Sequence, residues 1–445
     1  MPKLPPRAPV VPPAWDPSAA RYWDERDLEG EVYRTFQICH ECRMCVTYCG
    51  AFPLLFDAID REVDADRAEG AETLGAAVVE AVSDHCWQCK LCYIKCPYTR
   101  DEGARELLDF PRLMAREKAV RARRRGVSLV DRVLGEPELI GAAGGGLGAP
   151  IANLVNKNRL LRKVMETATG ISSEFPLPPL AAVPFHRWFA RHRPAREAGS
   201  AGAVVLFPTC YGTYNFPNVA RAATLVLEKN GYEVLVPEGL RCCGMPNLDG
   251  GDVEAAKQKM VANVAALAPA LSDGLEIVVP GPTCGYTMKK EWPLYVPGRD
   301  AERVAGATRD LMEFLERLRQ KGRLNQDFER GLGKVVYHAA CHLRAQKIAY
   351  PGARLLGGLP DTEVRVVERC SAVDGTWGMK AAYYEEGARY ASKLTRAVEQ
   401  ELGAHDRKDA QVVSDCSLAA LRIQKENGVS VFHPIEAVAE AYGLT

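Results

Sequence analysis

Eight cysteines between Cys39 and Cys96 fall into two runs of one spacing, C-x2-C-x2-C-x3-C: Cys39, Cys42, Cys45 and Cys49, then Cys86, Cys89, Cys92 and Cys96. No other feature limits the folded state of this chain so strongly. Three thiolates spaced in this way can wrap one face of a [4Fe–4S] cluster, and the fourth cysteine ligates the other cluster when two runs share a domain. The expected sets are therefore crossed, with Cys39, Cys42, Cys45 and Cys96 on one cluster and Cys86, Cys89, Cys92 and Cys49 on the second. The alternative, structural zinc, favours isolated cysteine pairs in closed tetrahedral sites over a triplet-plus-one run.

The second run is followed by Pro97 and the first by Gly50, a departure that leaves the donor count intact. Between the runs, Phe52 to Asp84 has a helical pattern, which predicts a helical ferredoxin-like module and not a compact βαββαβ fold. Fifteen cysteines, an odd number in a chain of 445 residues, argue against a disulfide framework and for reduced thiols. That places the protein in the cytoplasm or on the cytoplasmic face of the inner membrane. The first residues show no charged and apolar leader; Met1 to Pro13 is proline-rich and is expected to be disordered. Leu139 to Val155 is too rich in Gly and Ala to read as a membrane span. Lys plus Arg and Asp plus Glu both total 57, so a wholly basic nucleic-acid binder is excluded and electrostatic targeting has to be local.

The back half alternates β-branched runs with amphipathic helices. Strands are predicted at Ala203–Phe207, Glu233–Val236, Glu276–Val279, Lys334–Tyr337, Glu363–Val367 and Gln411–Val413. Helices are predicted at Asn218–Asn230, closed by Gly231, and at Asp252–Leu271 and Lys380–Leu402. "VVLFPTCYG" aligns with "VVYHAACHL", "EVLVPEGLRCCG" with "EVRVVERCSA" and "VVPGPTCGY" with "VVSDCSLAA", at cysteine offsets of 131, 128 and 132 residues. Offsets this constant indicate two copies of one α/β unit. In each copy a cysteine follows the end of a strand, where open α/β sheets form their binding crevice.

The first copy supplies Cys210, the adjacent Cys242 and Cys243, and Cys284. On Cys210, Cys242-Cys243-Gly244 and Cys284 it resembles the cysteine-rich CCG domains found in the B subunit of heterodisulfide reductase. The resemblance implies a further iron–sulfur cluster, cubane or non-cubane. That family often carries another cysteine three residues before the last, where this chain has Gly281. The second copy keeps Cys341, Cys370 and Cys416, with Ser371 and Ala372 in place of the Cys-Gly. It reads either as an incomplete site, finished by His342, His338, Asp374 or Asp415, or as a degenerate copy whose cysteines pack as small buried groups.

Two ferredoxin-type runs followed by paired CCG units resemble the C-subunit family of anaerobic glycerol-3-phosphate dehydrogenases and, more distantly, the iron–sulfur subunit of glycolate oxidase. "HLRAQ" at His342 to Gln346, "GTWGMK" at Gly375 to Lys380 and "FHP" at Phe432 to Pro434 belong to the same likeness. The resemblance implies a peripheral membrane, electron-transfer subunit. It would pass electrons from a flavin-dependent dehydrogenase of glycerol-3-phosphate or another hydroxy metabolite toward membrane quinone. The alternative is a heterodisulfide-reductase-like thiol/disulfide reductase, or a redox partner of a peroxide-detoxifying protein.

Between Arg112 and Arg196 there are 16 basic and 6 acidic residues. Arg121, Arg123, Arg124 and Arg125 form one cluster, and Lys157, Arg159, Arg162 and Lys163 punctuate Leu154, Val155, Leu160, Leu161 and Val164. A basic amphipathic segment of this kind suits a membrane headgroup region or a partner surface. No nucleic-acid motif accompanies the charge. "FHRWFARH" at Phe185 to His192 is a candidate quinone neighbour. The glycine run Gly141 to Gly148 follows no strand, so it reads as a flexible or closely packed connector and not as a nucleotide loop. His40 and His85, each beside a cluster cysteine, are candidates for hydrogen bonds to sulfur. The expected layout is an arm to residue 27, a two-cluster module over 28–110, a basic connector over 111–199, and α+β architecture completed by CCG units over 200–325 and 326–445.

Overall fold

A computed structural model describes residues 7–271, 273–373, 375–403 and 410–444. The chain divides into two compact units, one of residues 1–132 with 247–254, the other of residues 133–246 with 255–445.

Among its described residues the first unit has helices and no strand. Helix α1 (Glu25–Cys42) starts at Asp24, whose carboxylate accepts the Asp27 N–H (2.9 Å), and stops at Arg43 in a left-handed conformation (φ 53°). Helices α2 (Ala51–Asp64), α3 (Ala76–Asp84) and the short α4 (Leu91–Lys95) follow. Helix α5 (Phe110–Arg125) is capped by Asp109, which accepts the Arg112 N–H (3.0 Å), and packs on α1 and α3. Phe36, Phe52 and Phe110 form the centre of this core.

The N-terminal arm was expected to be disordered, yet its described part is tied down. The Arg7 carbonyl accepts from Arg34 Nη1 (2.5 Å) and the Pro12 carbonyl from Arg21 Nη1 (2.7 Å). Tyr22 is buried, and the fully buried Arg116 donates to its carbonyl (2.7 Å).

The second unit opens with helices α6 (Pro137–Gly144), α7 (Ala149–Lys157), α8 (Arg159–Thr169) and α9 (Phe185–Phe189). Two four-stranded parallel sheets follow. The first comprises β1 (Gly202–Leu206), β2 (Tyr232–Leu235), β3 (Ile277–Val279) and β4 (Thr308–Asp310), in the order β2-β1-β3-β4. The second repeats that order as β6-β5-β7-β8, from β5 (Gly333–His338), β6 (Thr362–Val367), β7 (Ala410–Ser414) and β8 (Val431–Phe432). In the first sheet α10 (Cys210–Tyr214), α11 (Pro217–Lys229), α12 (Val253–Leu271) and α13 (Pro282–Tyr286) alternate with the strands. In the second, α14 (Cys341–Ala345), α15 (Tyr384–Leu402), α16 (Ser417–Asn427) and α17 (Pro434–Ala441) do so.

The two sheets share one core. Helix α17, the last of the second sheet, packs on α11 of the first, and Val204, Leu206, Val226, Val335, Ile435 and Val438 belong to one continuous buried cluster. Both sheets reverse winding direction between their two central strands, β1 and β3 or β5 and β7, so each opens its crevice at those strand ends.

Candidate metal centres

In the first unit the two cysteine runs follow different backbones, Cys39 and Cys42 ending helix α1 while Cys86 and Cys89 lie in irregular chain, but they share one turn. Arg43, next after Cys42, and Lys90, next after Cys89, occupy equivalent places and both have positive φ, 53° and 61°. Left-handed backbone costs a non-glycine residue roughly 1–2 kcal/mol, and its recurrence at one point of the spacing turns the third thiol of each run back toward the first two. Cys39, Cys42, Cys45 and Cys96 line a small cleft with Phe52, Phe56 and Pro97. Burial raises the Cys39 thiol well above its ordinary range, followed by the charges of Cys45, Cys96 and Cys42, with Arg34 opposing. Cys45 is pushed up to about 12 by burial, then by Cys96 and Cys42. Cys92 is raised by burial and then by Cys89, Cys86, Cys45 and Cys49.

Around the second set, Gln88 donates through Nε2 to Cys86 Sγ (3.4 Å) and to the Pro111 carbonyl (3.0 Å), and Lys90 Nζ donates to Gln88 Oε1 (2.9 Å). Gln88 and Lys90 are both buried. His85 Nδ1 instead meets the Ala81 carbonyl (2.7 Å), and His40 Nδ1 meets the Arg43 guanidinium (2.9 Å).

In the second unit the first crevice holds four buried thiols, Cys210, Cys242, Cys243 and Cys284. Cys210 donates to Cys242 (3.8 Å between sulfurs), and the neighbouring thiols together with burial raise all four above the ordinary thiol range. Cys210 opens α10 after β1, the pair follows β2, and Cys284 lies in α13 after β3. Thr209, just before Cys210, has φ 64° and ψ 159°, a region that is nearly glycine-only, while its Oγ1 accepts the Gly212 N–H (3.0 Å).

The backbone of the pair is held by three side chains that sequence reasoning missed. Glu138 Oε2 on α6 accepts the Cys242 N–H (2.5 Å). Asn263 on α12 accepts the Arg241 N–H (2.8 Å) and donates to the Cys242 carbonyl (3.0 Å). Trp292 Nε1 donates to the Cys243 carbonyl (3.0 Å). Only the run of buried polar and aromatic types on otherwise apolar helices could have hinted at them.

A cavity is lined by Cys210, Cys242, Cys243 and Cys284, and also by Asp415, Cys416 and His433 from the second sheet. The sequence put Cys416 with Cys341 and Cys370, but those two lie outside this lining. Cys370 Sγ accepts the Ala372 N–H (3.2 Å), and Cys341 opens α14. Of the residues considered for completing a second site, His338 uses both ring nitrogens, toward Ser414 Oγ (2.8 Å) and the Arg369 carbonyl (3.0 Å). His342 Nδ1 meets Thr283 Oγ1 (3.0 Å), Asp415 Oδ2 accepts from Tyr337 Oη (2.6 Å), and Asp374 lies outside the described residues. A wider cleft of about 1030 Å³ shares Val219, Ser417 and His433 with the thiol cavity.

Among the described residues no three His, Cys, Asp or Glu side chains converge as for a single metal ion. The cysteines are all free, and eight of the fifteen are buried, a set of thiol donors that fits the donor chemistry of iron–sulfur groups.

The basic middle separates into two environments. Arg121 pairs with Asp84 (2.5 Å) and Arg125 with Glu80 (2.8 Å), Arg124 pairs with Glu25 (3.1 Å), and Arg123 stacks over Trp23. This cluster makes intramolecular ion pairs, with Arg124 and Arg125 still half exposed. Helices α7 and α8 differ. Ile151, Leu154, Leu160 and Val164 are 71%, 70%, 76% and 67% exposed, while Arg162 is buried and donates to the Phe175 carbonyl (2.8 Å). Helix α8 is thus inverted, with an arginine inward and leucines outward. In the aromatic segment, Phe185 is wholly buried in the core and Trp188 stacks on His192, which pairs with Glu228 (2.9 Å). The glycine run ends α6, and Gly141 lies so close to Tyr214 that a Cβ there would be 2.5 Å from its Cβ.

Together, the doubled parallel sheet and the thiols at its strand ends define a cysteine-rich redox-type protein. The cysteine-rich CCG domain family matches residues 204–289, from β1 through α13. The C subunit of anaerobic glycerol-3-phosphate dehydrogenase from Escherichia coli K12 is 28% identical over 319 residues, 71% of this chain and 77% of that protein. Lactate utilization protein A of Bacillus cytotoxicus is 31% identical over 40% of this chain and 74% of its own length. The B subunit of fumarate reductase (CoM/CoB) from Methanothermobacter marburgensis is 28% identical over 53% of this chain and 46% of its own length. The chain belongs to the family of CCG-domain proteins that includes the C subunit of glycerol-3-phosphate dehydrogenase and lactate utilization protein A. Among the described residues no helix is long and apolar enough to cross a membrane.

Proposed function

We propose that this chain is the iron–sulfur electron-transfer subunit of a dehydrogenase complex. It receives electrons from a flavin-bearing partner that oxidises glycerol-3-phosphate or another hydroxy metabolite, and delivers them toward membrane quinone on the cytoplasmic face. Its front module is ferredoxin-like and helical, and its back half is a pair of CCG units.

The observation that carries this reading is the cleft in which Cys96 of the second run joins Cys39, Cys42 and Cys45 of the first, with Cys49 of the first run among the thiols that act on Cys92 of the second. Cys39, Cys42, Cys45 and Cys96 would hold one [4Fe–4S] cluster, Cys86, Cys89, Cys92 and Cys49 the second, and Cys210, Cys242, Cys243 and Cys284 a further group. Bound there, such groups supply one-electron carriers with potentials anywhere from roughly −700 to +450 mV, tuned by burial and hydrogen bonds to sulfur. The chain's own residues provide those controls: Gln88 donates to Cys86, apolar rings enclose the first set, and Glu138, Asn263 and Trp292 fix the back pair. The outward leucines of α8, flanked by exposed Lys157, Arg159 and Lys163, suit a membrane surface.

Iron and acid-labile sulfide analysis of anoxically purified protein tests the reading, together with identification of a co-purifying flavoprotein. Protein with neither iron nor sulfide would refute it. The wide cleft beside the back cavity favours a second reading, a thiol/disulfide reductase related to heterodisulfide reductase, because it has room for an organic substrate. A spectral change on adding disulfide to the reduced protein would distinguish it.

A further inference from the structure

The second sheet keeps three cysteines, and one of them has left its own set. Cys416 lines the first-sheet cavity with Cys210, Cys242, Cys243 and Cys284, and its charge acts on Cys284 and on Tyr211. It is the N-cap of the eleven-residue α16, so its sulfur stands at the positive end of a helix dipole, a place that favours thiolate. Gly281, also in the lining, offers no side chain; a Cβ there would lie 3.2 Å from Thr209 Cγ2 and 3.8 Å from Cys284 Sγ.

Three side chains of the second half grip the loop that carries Cys284. His433 Nε2 donates to the Pro280 carbonyl (2.8 Å), Gln346 Nε2 donates to the Pro282 carbonyl (3.1 Å), and His342 Nδ1 meets Thr283 Oγ1 (3.0 Å). An independent sign that the cavity takes a ligand comes from Asp415. The residue lines the cavity, and its buried Oδ1 has no hydrogen-bond partner among the described residues, although Oδ2 is bonded to Tyr337. Such an atom is costly unless something in the cavity satisfies it.

We propose that Cys416 is a fifth thiolate of the group held by Cys210, Cys242, Cys243 and Cys284, so that the two α/β halves build one shared centre instead of two. This rests on the reading of that crevice as an iron–sulfur site. A cubane [4Fe–4S] cluster takes four thiolates, so a five-thiolate set holds a group of another form. The second half, on this account, no longer needs a complete ligand set of its own; it supplies one ligand and the clamp on another.

The test uses the full chain, purified anoxically, with iron, acid-labile sulfide and low-temperature EPR and Mössbauer spectra as readouts. The variants are Cys284→Ser, Cys416→Ser and Cys416→Ser with Gly281→Cys. Serine is a preferred N-cap, so Cys416→Ser should fold, and the unchanged front-module signals confirm that it has. Cys284→Ser and Cys416→Ser are expected to lose or alter the same spectral component, with iron falling by up to about one third if three four-iron groups are present. The double variant is expected to recover that component at least in part. Loss of the component in Cys284→Ser with full retention in Cys416→Ser would overturn the proposal while leaving the iron–sulfur reading of the crevice intact. Retention in both would overturn that reading, and the proposal with it.

A measurement on unaltered holoprotein removes any dependence on variant folding. Cys416 should resist alkylation by iodoacetamide until iron is chelated out, and then react in step with Cys284. Alkylation of Cys416 at the same rate before and after chelation would also overturn the proposal.

Discussion

If α7 and α8 dock on a membrane, removing two outward leucines should weaken binding by an amount the structure sets. Leu154 and Leu160 are 70% and 76% exposed, so nearly the whole side chain is available to leave water on docking. Full burial of a leucine is worth about 1.5–3 kcal/mol, which at these exposures leaves about 1–2 kcal/mol each. The pair Leu154→Gln and Leu160→Gln should therefore weaken partitioning by about 2–4 kcal/mol, or about 30- to 1000-fold. Glutamine is a good helix former and both sites are on the surface, so folding should change by less than about 0.5 kcal/mol. Lys157, Arg159 and Lys163 are exposed around the same face, and each cation near an anionic surface contributes about 1 kcal/mol. Their triple replacement by Gln should cost about 3 kcal/mol at low salt and little at high salt, whereas the leucine effect should persist at both. Co-sedimentation with phosphatidylserine-containing and neutral vesicles at two salt concentrations measures these losses. Wild-type protein that pellets no better with anionic vesicles than without them, or a leucine variant that binds like wild type, would refute the argument.

The crossed ligand sets predict that Cys96→Ser removes the same front-module EPR signal as Cys39→Ser, while Cys49→Ser matches Cys86→Ser; pairing by run would give the opposite match. At Thr209 the positive φ predicts that Thr209→Gly has a higher apparent melting temperature than Thr209→Ala, by about 1–2 kcal/mol of relieved strain, the reverse of an ordinary position. Asn263→Ala leaves the part-buried Arg241 N–H and the buried Cys242 carbonyl without this partner, and should cost about 1–3 kcal/mol in thermal stability; an unchanged melting temperature would count against it as the support of the pair. His433 is lowered from 6.5 to about 4 by burial, against its bond to the Pro280 carbonyl. With its folded pKa below the unfolded one, its contribution is complete above pH 6.5 and is lost as the pH falls toward 4, about 2 kcal/mol between pH 7 and 5. Asp310, raised to about 6 by burial, runs the other way, its contribution being lost as the pH rises from 3.8 through 6, so only a paired comparison isolates the histidine. His433→Gln keeps an Nε2 donor and should lose less stability than wild type on acidification, and identical losses would refute the assignment.

Much of the architecture could be read from residue order because it depends on local pattern. All six predicted strands occur, within a residue or two, since each is a β-branched run bounded by turns. Strands β4 and β8 were missed because they have three and two residues, and Thr308-Arg309-Asp310 carries no apolar signal; their place is set by the neighbouring strand. The duplication was legible as a constant cysteine offset, and the repeated strand order agrees with it. What stayed hidden was long-range. Cys416 aligns in sequence with Cys284, yet which crevice its side chain enters depends on how the two sheets pack. Likewise, the density of arginine from Arg121 to Arg125 says nothing of Glu25, Glu80 and Asp84, which come from distant helices to neutralise it. Spacing could not show that Arg162 turns inward either, because Ser172 and Phe175 supply its acceptors from a later loop.

If α8 is a lipid-facing helix, its inversion has a consequence for the purified protein. In plain buffer its leucines would then have no lipid to meet, and the quickest way to shield them is against the same face of another molecule. Self-association that rises with concentration and dissolves in mild detergent would then be a by-product of purification, and a size measured without detergent would overstate the working stoichiometry.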